Sequence, residues 1–300
     1  METINPLVTI IVVSYNQGKY IRKNLDSIKS QTYSEIELIV ADDASTDDSI
    51  EVFESWIQEN NYSVKKNFHT KNTGLATVLN ECIDLATGKY IKIIAADDFL
   101  HPKSIEKCVR KLEELGEEFG MVFSDTFVIN ENSKIIADIA DYNKFGNVSP
   151  ELFRKELVRG NRIAALTVLM RLDVVKETGS YDCKFIVEDY YRWLKINQKY
   201  LIAYIPEKLA YYRQHENNIS KLKAEKINQE DLMLRIMFDE EGNMKDEINM
   251  KIFSKYINNI KLDKDLIELY KNYPNNIKRL KLALKYNIPT FLYKFVSKIM

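Results

Sequence analysis

Residues 7–13, Leu-Val-Thr-Ile-Ile-Val-Val, form a nearly unbroken β-branched run, the pattern of a strand covered on both faces. The turn-forming cluster Ser14-Tyr15-Asn16-Gln17-Gly18 ends it, and the recurrence of Ile21, Leu25 and Ile28 then predicts a helix. The alternation repeats. A second strand over 36–41 stops at Asp42-Asp43-Ala44-Ser45-Thr46-Asp47. The helix after it carries Ile50, Phe53 and Ile57 on one face, with Ser45, Thr46 and Asp47 available as caps. A weaker strand pattern covers 64–68. Asn72-Thr73-Gly74 then opens a helix bearing Leu75, Val78, Leu79 and Cys82, with Gly88 expected as its C-cap. The run 90–94 predicts a buried strand leading to Asp97 and Asp98, and Pro102 opens a helix with Ile105, Val109 and Leu112. Strands alternating with helices in this way predict a parallel sheet.

Further strand pieces are expected at 121–123 and 127–129, followed by a hairpin turn at Asn130-Glu131-Asn132-Ser133. A polar loop, 141–149, leads to a short helix at Pro150, and 165–170 predicts another strand. Glu188 and Asp189 fall in the first turn of the next predicted helix. Closing strands over 201–205 and 209–212 precede Arg213-Gln214-His215. Beyond Lys221 the helical spacing of Leu and Ile among Lys, Glu and Asn predicts three to five helices. The expected organisation is an α/β domain over 1–220 and a helical region over 221–300.

In a parallel sheet the carboxyl ends of the strands share one edge, and ligands bind there. Ser14-Tyr15-Asn16, Asp42-Asp43 and Asp97-Asp98 each follow a strand, so parallel pairing brings them to one crevice. No glycine-rich phosphate loop and no Gly-Lys-Ser/Thr is present. So acidic a pocket repels a nucleotide diphosphate unless a divalent cation stands between them, and hard oxygen ligands suit Mg²⁺ or Mn²⁺. Taken singly, each cluster has a plainer reading. Asp42-Asp43 with Ser45 and Thr46 reads as a turn and cap, and Asp97-Asp98 as a solvated turn. Glu188-Asp189 reads as a complement to a helix dipole. His215 reads as a surface histidine, His69 and His101 as structural, and Trp193 as a core aromatic. The functional reading rests on the clusters occurring together.

A composition of 45% hydrophobic residues in 300 is ample for a large core with a smaller satellite. A net charge of −1 argues against general nucleic-acid binding. Cys82, Cys108 and Cys183 are scattered and read as reduced core residues. With no signal-like start and no run approaching ~20 apolar residues, a cytoplasmic protein is expected. The charge is nonetheless uneven: residues 271–300 hold seven basic and no acidic residues. The segment 288–300 mixes aromatics with lysines as interfacial helices do. Contact with the inner face of the cytoplasmic membrane and a homodimer through the C-terminal helices are the competing expectations for it.

Four segments together resemble the family 2 glycosyltransferases, inverting enzymes of the GT-A fold. They are Ile-Ile-Val-Val-Ser-Tyr-Asn at 10–16, Val-Ala-Asp-Asp-Ala-Ser-Thr-Asp at 40–47, Asn-Thr-Gly at 72–74 and Ala-Ala-Asp-Asp at 95–98. The resemblance runs from about Val8 to about Ser220 and takes in Glu188-Asp189 and Tyr212-Arg213-Gln214-His215. It departs at Ala95, where many members carry a further aspartate. The Gln-x-x-Arg-Trp signature of processive synthases is also absent, which implies transfer of one sugar at a time. The resemblance implies a donor site of Val13, Tyr15, Asn16, Asp43, Asn72, Asp97 and His215, with Tyr15 flanking the base, Asp43 on a nucleobase such as uracil and Asp97 on the ribose. It implies Mn²⁺ or Mg²⁺ on Asp98, with His215 near the metal or diphosphate. Asp189 would be the general base on the acceptor hydroxyl, with Glu188 beside it. The implied partners are a nucleotide-sugar, usually a UDP-sugar, and a saccharide or lipid-linked acceptor of bacterial surface polysaccharide assembly. A metal-dependent nucleotidyltransferase would need a basic glycine-rich loop that residues 14–19 do not supply. A non-catalytic pseudo-transferase finds its one hint in Ala95.

Overall fold

The computed structural model describes residues 5–136 and 147–293. At its centre lies β1 (Val8–Ser14), every residue of which is buried, as its continuous β-branched sequence requires. It pairs in parallel with β2 (Ile36–Asp42) and with β4 (Tyr90–Ala95), and β2 pairs in parallel with β3 (Val64–Phe68). The crossovers are α1 (Gly18–Lys29), α2 (Ser49–Asn60) and α3 (Leu75–Leu85). The register aligns Ser14 with Asp42 and Val13 with Ala95, which sets three strand ends on one rim. Past β4 the sheet changes direction. The remaining strands are β5 (Phe99–Leu100), β6 (Phe119–Ile129), β7 (Leu169–Arg171) and β8 (Leu201–Arg213). Here β7 runs antiparallel to β4 and β6, β6 is parallel to β8, and β5 is antiparallel to β8. The eight-stranded order is β3-β2-β1-β4-β7-β6-β8-β5.

Several expectations need correction. The strand pieces at 121–123 and 127–129 are one strand, β6, and those at 201–205 and 209–212 are one strand, β8, kept in register by irregularities near Asp125. The predicted strand 165–170 instead begins as a 3₁₀ turn, Ala165–Thr167. There the Thr167 hydroxyl bonds the Ala164 carbonyl, a local bond that competes with strand pairing. The short helix before the turn is α5 (Pro150–Leu157), and a further one, α6 (Leu172–Glu177), follows β7 without having been anticipated. Gly88 is not a cap, since α3 ends at Leu85. A Cβ at Gly88 would stand 2.7 Å from the Thr9 nitrogen, so glycine there lets the backbone pack against β1. In α2 the buried aromatics are Phe53 and Trp56, with Ile50 and Ile57 half-buried. Cys183 is exposed, unlike Cys82 and Cys108.

Helix α4 (Ser104–Leu115) buries Ile105, Cys108, Val109 and Leu112 and stops at Gly116, whose φ of +87° suits glycine alone. Helix α7 (Glu188–Lys199) precedes β8. The chain divides into two compact units, Met1–Glu156 with Arg162–Asn218, and Leu157–Asn161 with Ile219–Met300. The second contains α8 (Ile219–Leu222), α9 (Ala224–Phe238), α10 (Lys245–Ile257), α11 (Lys264–Asn272) and α12 (Lys278–Lys285). Ile252, Leu266, Tyr270 and Leu280 are buried within it, and the Tyr270 hydroxyl donates to Asn249 at 2.6 Å. The polar loop expected at 141–149 falls largely outside the described residues, as does 294–300 of the basic segment.

Candidate functional site

The loops after β1 and β2 are bonded to each other. Asn16 takes a left-handed conformation, φ 54°, which asparagine tolerates. Its side-chain oxygen accepts from the Thr46 N–H at 2.8 Å, and its own N–H donates to the Ser45 hydroxyl at 2.8 Å. Asp42 accepts from the Ser45 N–H and hydroxyl at 2.7 and 2.6 Å. Asp43 is buried, and backbone donors meet both of its oxygens: Oδ1 accepts from the Thr73 N–H at 2.7 Å and Oδ2 from the Gly74 N–H at 2.8 Å. Asn72 donates to the Asp43 carbonyl at 3.3 Å. His69 stands with Nδ1 3.2 Å from Asp43 and Nε2 2.6 Å from Glu81. Sequence reasoning left His69 as structural, although it follows β3 just as the other clusters follow their strands. Val13 lies buried at the end of β1, and Tyr15 is half exposed at the rim.

The second acidic corner is built around Arg213. This residue ends β8, is 1% exposed, and was not singled out by the sequence reading. Its N–H donates to Asp98 Oδ1 at 2.7 Å and its Nε to the Asp97 carbonyl at 2.7 Å. Its Nη1 donates to the carbonyls of Asn130 and Glu131, each at 2.9 Å, and the guanidinium lies 4.4 Å from the Tyr20 ring. Asn24 completes the corner by donating to the carbonyls of Ala95 and Asp98. Burial, and after it the Asp97 carboxylate, raise Asp98 well above the usual carboxylate range, against the opposing pull of the Arg213 N–H and charge. Asp97 points elsewhere, with Oδ2 2.9 Å from His215 Nε2. The His215 ring stacks on Tyr20 at 5.6 Å between centroids. Asn218 holds the turn, accepting from the His215 N–H and donating to the Arg213 carbonyl. His215 therefore faces Asp97, whereas the resemblance had placed the metal on Asp98 with His215 nearby. Asp98 Oδ1 is taken by the Arg213 N–H instead, so Asp97 is the acid that meets the histidine.

Glu188 and Asp189 stand in the first turn of α7, where Asp189 Oδ1 accepts from the Tyr190 N–H at 2.5 Å. They line a recess together with Leu79, Ile93, Ala165, Val168, Met170, Tyr181 and Trp193. Trp193 belongs to this wall as well as to the core. Tyr190 is fully buried, and Phe185 packs on Tyr191 instead of lining the recess. Burial pushes the Tyr181 hydroxyl up, and the nearby Glu188 and Asp189 charges add to the effect.

A sequence profile described as Glycosyl transferase family 2 matches residues 9–165, from β1 through the first residue of the 3₁₀ turn. The chain belongs to glycosyl transferase family 2. It is 29% identical over 228 residues to the putative teichuronic acid biosynthesis glycosyltransferase TuaG of Bacillus subtilis, covering 74% of this chain and 85% of that one. Among solved structures it is similar to S. aureus TarS in complex with UDP-GlcNAc, with a TM-score of 0.67, 18% identity, and coverage of 93% of this chain and 86% of that one. It is also similar to the mannosyltransferase PcManGT of Pyrobaculum calidifontis in complex with GDP-Man and Mn²⁺, with a TM-score of 0.60, 19% identity, and coverage of 78% and 64%. The fold is the mixed α/β GT-A arrangement of these glycosyltransferases.

In this family 2 chain no group of three or more His, Cys, Asp or Glu spaced to hold a metal occurs among the described residues. Asp97 and His215, 2.9 Å apart, are an acid and an imidazole that could share a divalent cation. Two protein groups are enough for such an ion when substrate phosphates supply further oxygens.

Proposed function

We propose that this glycosyltransferase moves one sugar from a nucleotide-sugar, a UDP-sugar, to a saccharide or lipid-linked acceptor in bacterial surface polysaccharide assembly, with inversion at the anomeric carbon. The observation that carries the reading is the Asp97–His215 pair, 2.9 Å apart, on the rim formed by the ends of β1, β2 and β4. The printed name of TuaG supports the polysaccharide context, and the donors bound by TarS and PcManGT support a nucleotide-sugar. Asp97 and His215 would hold Mn²⁺ or Mg²⁺, which when bound stabilises negative charge on a diphosphate leaving group.

The chain's own residues perform the rest. Tyr15 flanks the base, Val13 and Asn16 shape its loop, and Asn72 fixes the Asp43 backbone. Asp43 Oδ2 accepts a single N–H from the protein and retains a lone pair for a nucleobase N–H. Asp189 receives the acceptor's proton, a role that contributes roughly 10²–10⁴-fold, with Glu188 beside it and the apolar recess limiting water. The non-catalytic alternative rests on Ala95 alone, whereas the Asp97–His215 pair and the lining of the recess by Asp189 support the transferase reading. The deciding assay is UDP release from UDP-sugars with Mn²⁺. Turnover should disappear in Asp97→Ala and in Asp189→Ala, and full activity in both variants would sink these assignments.

The second unit supports a peripheral membrane role. No described helix is long and apolar enough to cross a membrane. Helix α12 presents Lys278, Leu282 and Lys285 to solvent, and Tyr286 and Phe291 are exposed just beyond it. Tyr293 joins this segment to Phe253 of α10, at 6.1 Å between ring centroids. Cations interleaved with exposed aromatics fit an anionic cytoplasmic leaflet. Flotation with anionic and with neutral vesicles tests this, and equal partitioning would end it. A homodimer through the same helices would show in sedimentation instead.

A further inference from the structure

The first acidic corner holds an imidazole that the chemistry above leaves unused. His69 directly follows β3, and its N–H donates to the Asp42 carbonyl at 2.9 Å. Only 10% of its side chain is exposed, and both ring nitrogens have neighbours. Nε2 lies 2.6 Å from Glu81 of α3, whose carboxylate also accepts from the Asn67 amide at 2.9 Å. The Asn67 and His69 bonds hold the Glu81 carboxyl below the usual carboxylate range. An ionised carboxylate only accepts, so Nε2 carries the hydrogen and the ring orientation is set from α3.

The other ring nitrogen faces Asp43. Nδ1 stands 2.8 Å from the Thr73 hydroxyl and 3.2 Å from Asp43 Oδ1. That hydroxyl is itself 3.2 Å from Oδ1, and the Thr73 N–H meets the same oxygen at 2.7 Å. Oδ1 is therefore hemmed in by Thr73 and His69, whereas Oδ2 has the Gly74 N–H alone among the described residues. One imidazole joins the carboxylate, the loop that bonds it and helix α3.

A carboxylate held in this way discriminates between bases. Uracil presents a ring N–H, N3. Cytosine has a bare lone pair on that nitrogen and carries its donor on the neighbouring exocyclic amine. A fixed acceptor pairs with the first and opposes a lone pair on the second. An acceptor free to shift reaches the exocyclic amine and loses the distinction.

We propose that His69, held by Glu81, makes this site select uracil over cytosine by fixing Asp43 so that Oδ2 pairs only with a ring N–H. His69 is a positioning residue that acts through Asp43. The inference rests on the reading of Asp43 as the nucleobase acceptor.

Calorimetric affinities of the full chain for UDP and for CDP, with Mn²⁺, test it. The two nucleotides share ribose, diphosphate and metal, so their ratio isolates the base. The native chain should prefer UDP on the order of 10²-fold, the effect of leaving a buried carboxylate facing a lone pair. His69→Leu removes both ring contacts and should lower the ratio about tenfold, with CDP affinity kept or raised. Glu81→Ala removes the acceptor from a half-exposed helix position and should lower the ratio by a smaller factor. It decides alone if His69→Leu fails to fold. A merely structural role for His69 weakens both nucleotides alike, so a ratio that either folded variant leaves unchanged overturns the inference. A native chain that binds both nucleotides without preferring UDP overturns it together with the Asp43 assignment, and leaves the phosphate site standing. Failure of both nucleotides to bind the native chain overturns the transferase reading itself.

Discussion

Asp42 ends β2 and Asp43 follows it, Asp97 and Asp98 follow β4, and all four are buried. The corners differ in the donors aimed at them. At the first, the N–H groups of Ser45, Thr73 and Gly74 all point at carboxylate oxygens, so the loops are bonded in place. At the second, Asp98 accepts the Arg213 N–H while Asp97 confronts a histidine that can equally share a cation. The first corner ties the loops after β1, β2 and β3 together, with a single N–H on Asp43 Oδ2. The second sets an acid against an imidazole, with Asp97 Oδ2 2.9 Å from His215 Nε2. Identical dipeptides at equivalent strand ends thus acquire different chemistry from how many donors the surrounding loops supply.

The largest effect expected from breaking this contrast is at Asp97. Asp97→Asn keeps the size and removes the charge, and UDP release at saturating Mn²⁺ should fall on the order of 10³-fold. The loss should exceed that of any substitution at Asp42. A variant with near-normal turnover would show that the second corner does not carry the chemistry.

Arg213 ties the second corner to β8 and to the turn after β6. Arg213→Met would strip donors from the carbonyls of Asp97, Asn130 and Glu131 and leave Asp98 without its nearby cation. A loss of about 3–5 kcal/mol in urea unfolding is expected, the cost of breaking a buried charged network. Arg213→Lys should not rescue it, because an ammonium cannot span the same forked geometry.

Much of the first corner was legible because each cluster directly follows an apolar strand, and parallel pairing makes the carboxyl ends coincide. The second corner was less so. Which of Asp97 and Asp98 meets His215 depends on the path of the turn after β4 and on Arg213, 115 residues away from Asp98 in sequence. The recess was hidden for a similar reason. Trp193 and Ile93 both satisfied a core pattern, and only their common exposure to one cavity distinguishes them. Lys92 was hidden inside the β-branched run 90–94, which reads as apolar despite it.

Lys92 extends the contrast to a basic group that has no acid partner among the described residues. It is fully buried on β4, donates to the Val168 carbonyl at 3.1 Å, and burial pulls its amine down to about 8. The unfolded amine titrates near ~10.4. Between those values the unfolded chain binds more protons, so stability rises with pH across that window. Below it, where Lys92 is charged in both states, the full penalty applies. Lys92→Met should therefore stabilise the fold by about 2–3 kcal/mol at pH 7, with the gain shrinking from pH 8 upward. Urea midpoints at pH 7 and 10 measure the difference, and a gain that does not change with pH would contradict the uncompensated charge.

The smallest effect separates the corners most directly, because the same conservative change should differ in cost between them. Asparagine offers one acceptor oxygen and a donating NH₂ where aspartate offers two oxygens. At Asp43 both oxygens accept backbone N–H groups, so Asp43→Asn turns its amide toward a donor whichever way it flips, and leaves the Thr73 or the Gly74 N–H unpaired. A cost of about 1–3 kcal/mol follows. At Asp98 the Arg213 N–H meets Oδ1 alone, and asparagine keeps that oxygen while removing a second buried carboxylate from beside Asp97. Asp98→Asn should then cost under about 1 kcal/mol. Thermal unfolding of the two variants side by side in metal-free buffer tests the pair. Equal losses would mean that donor count does not distinguish the corners, and that burial alone governs both.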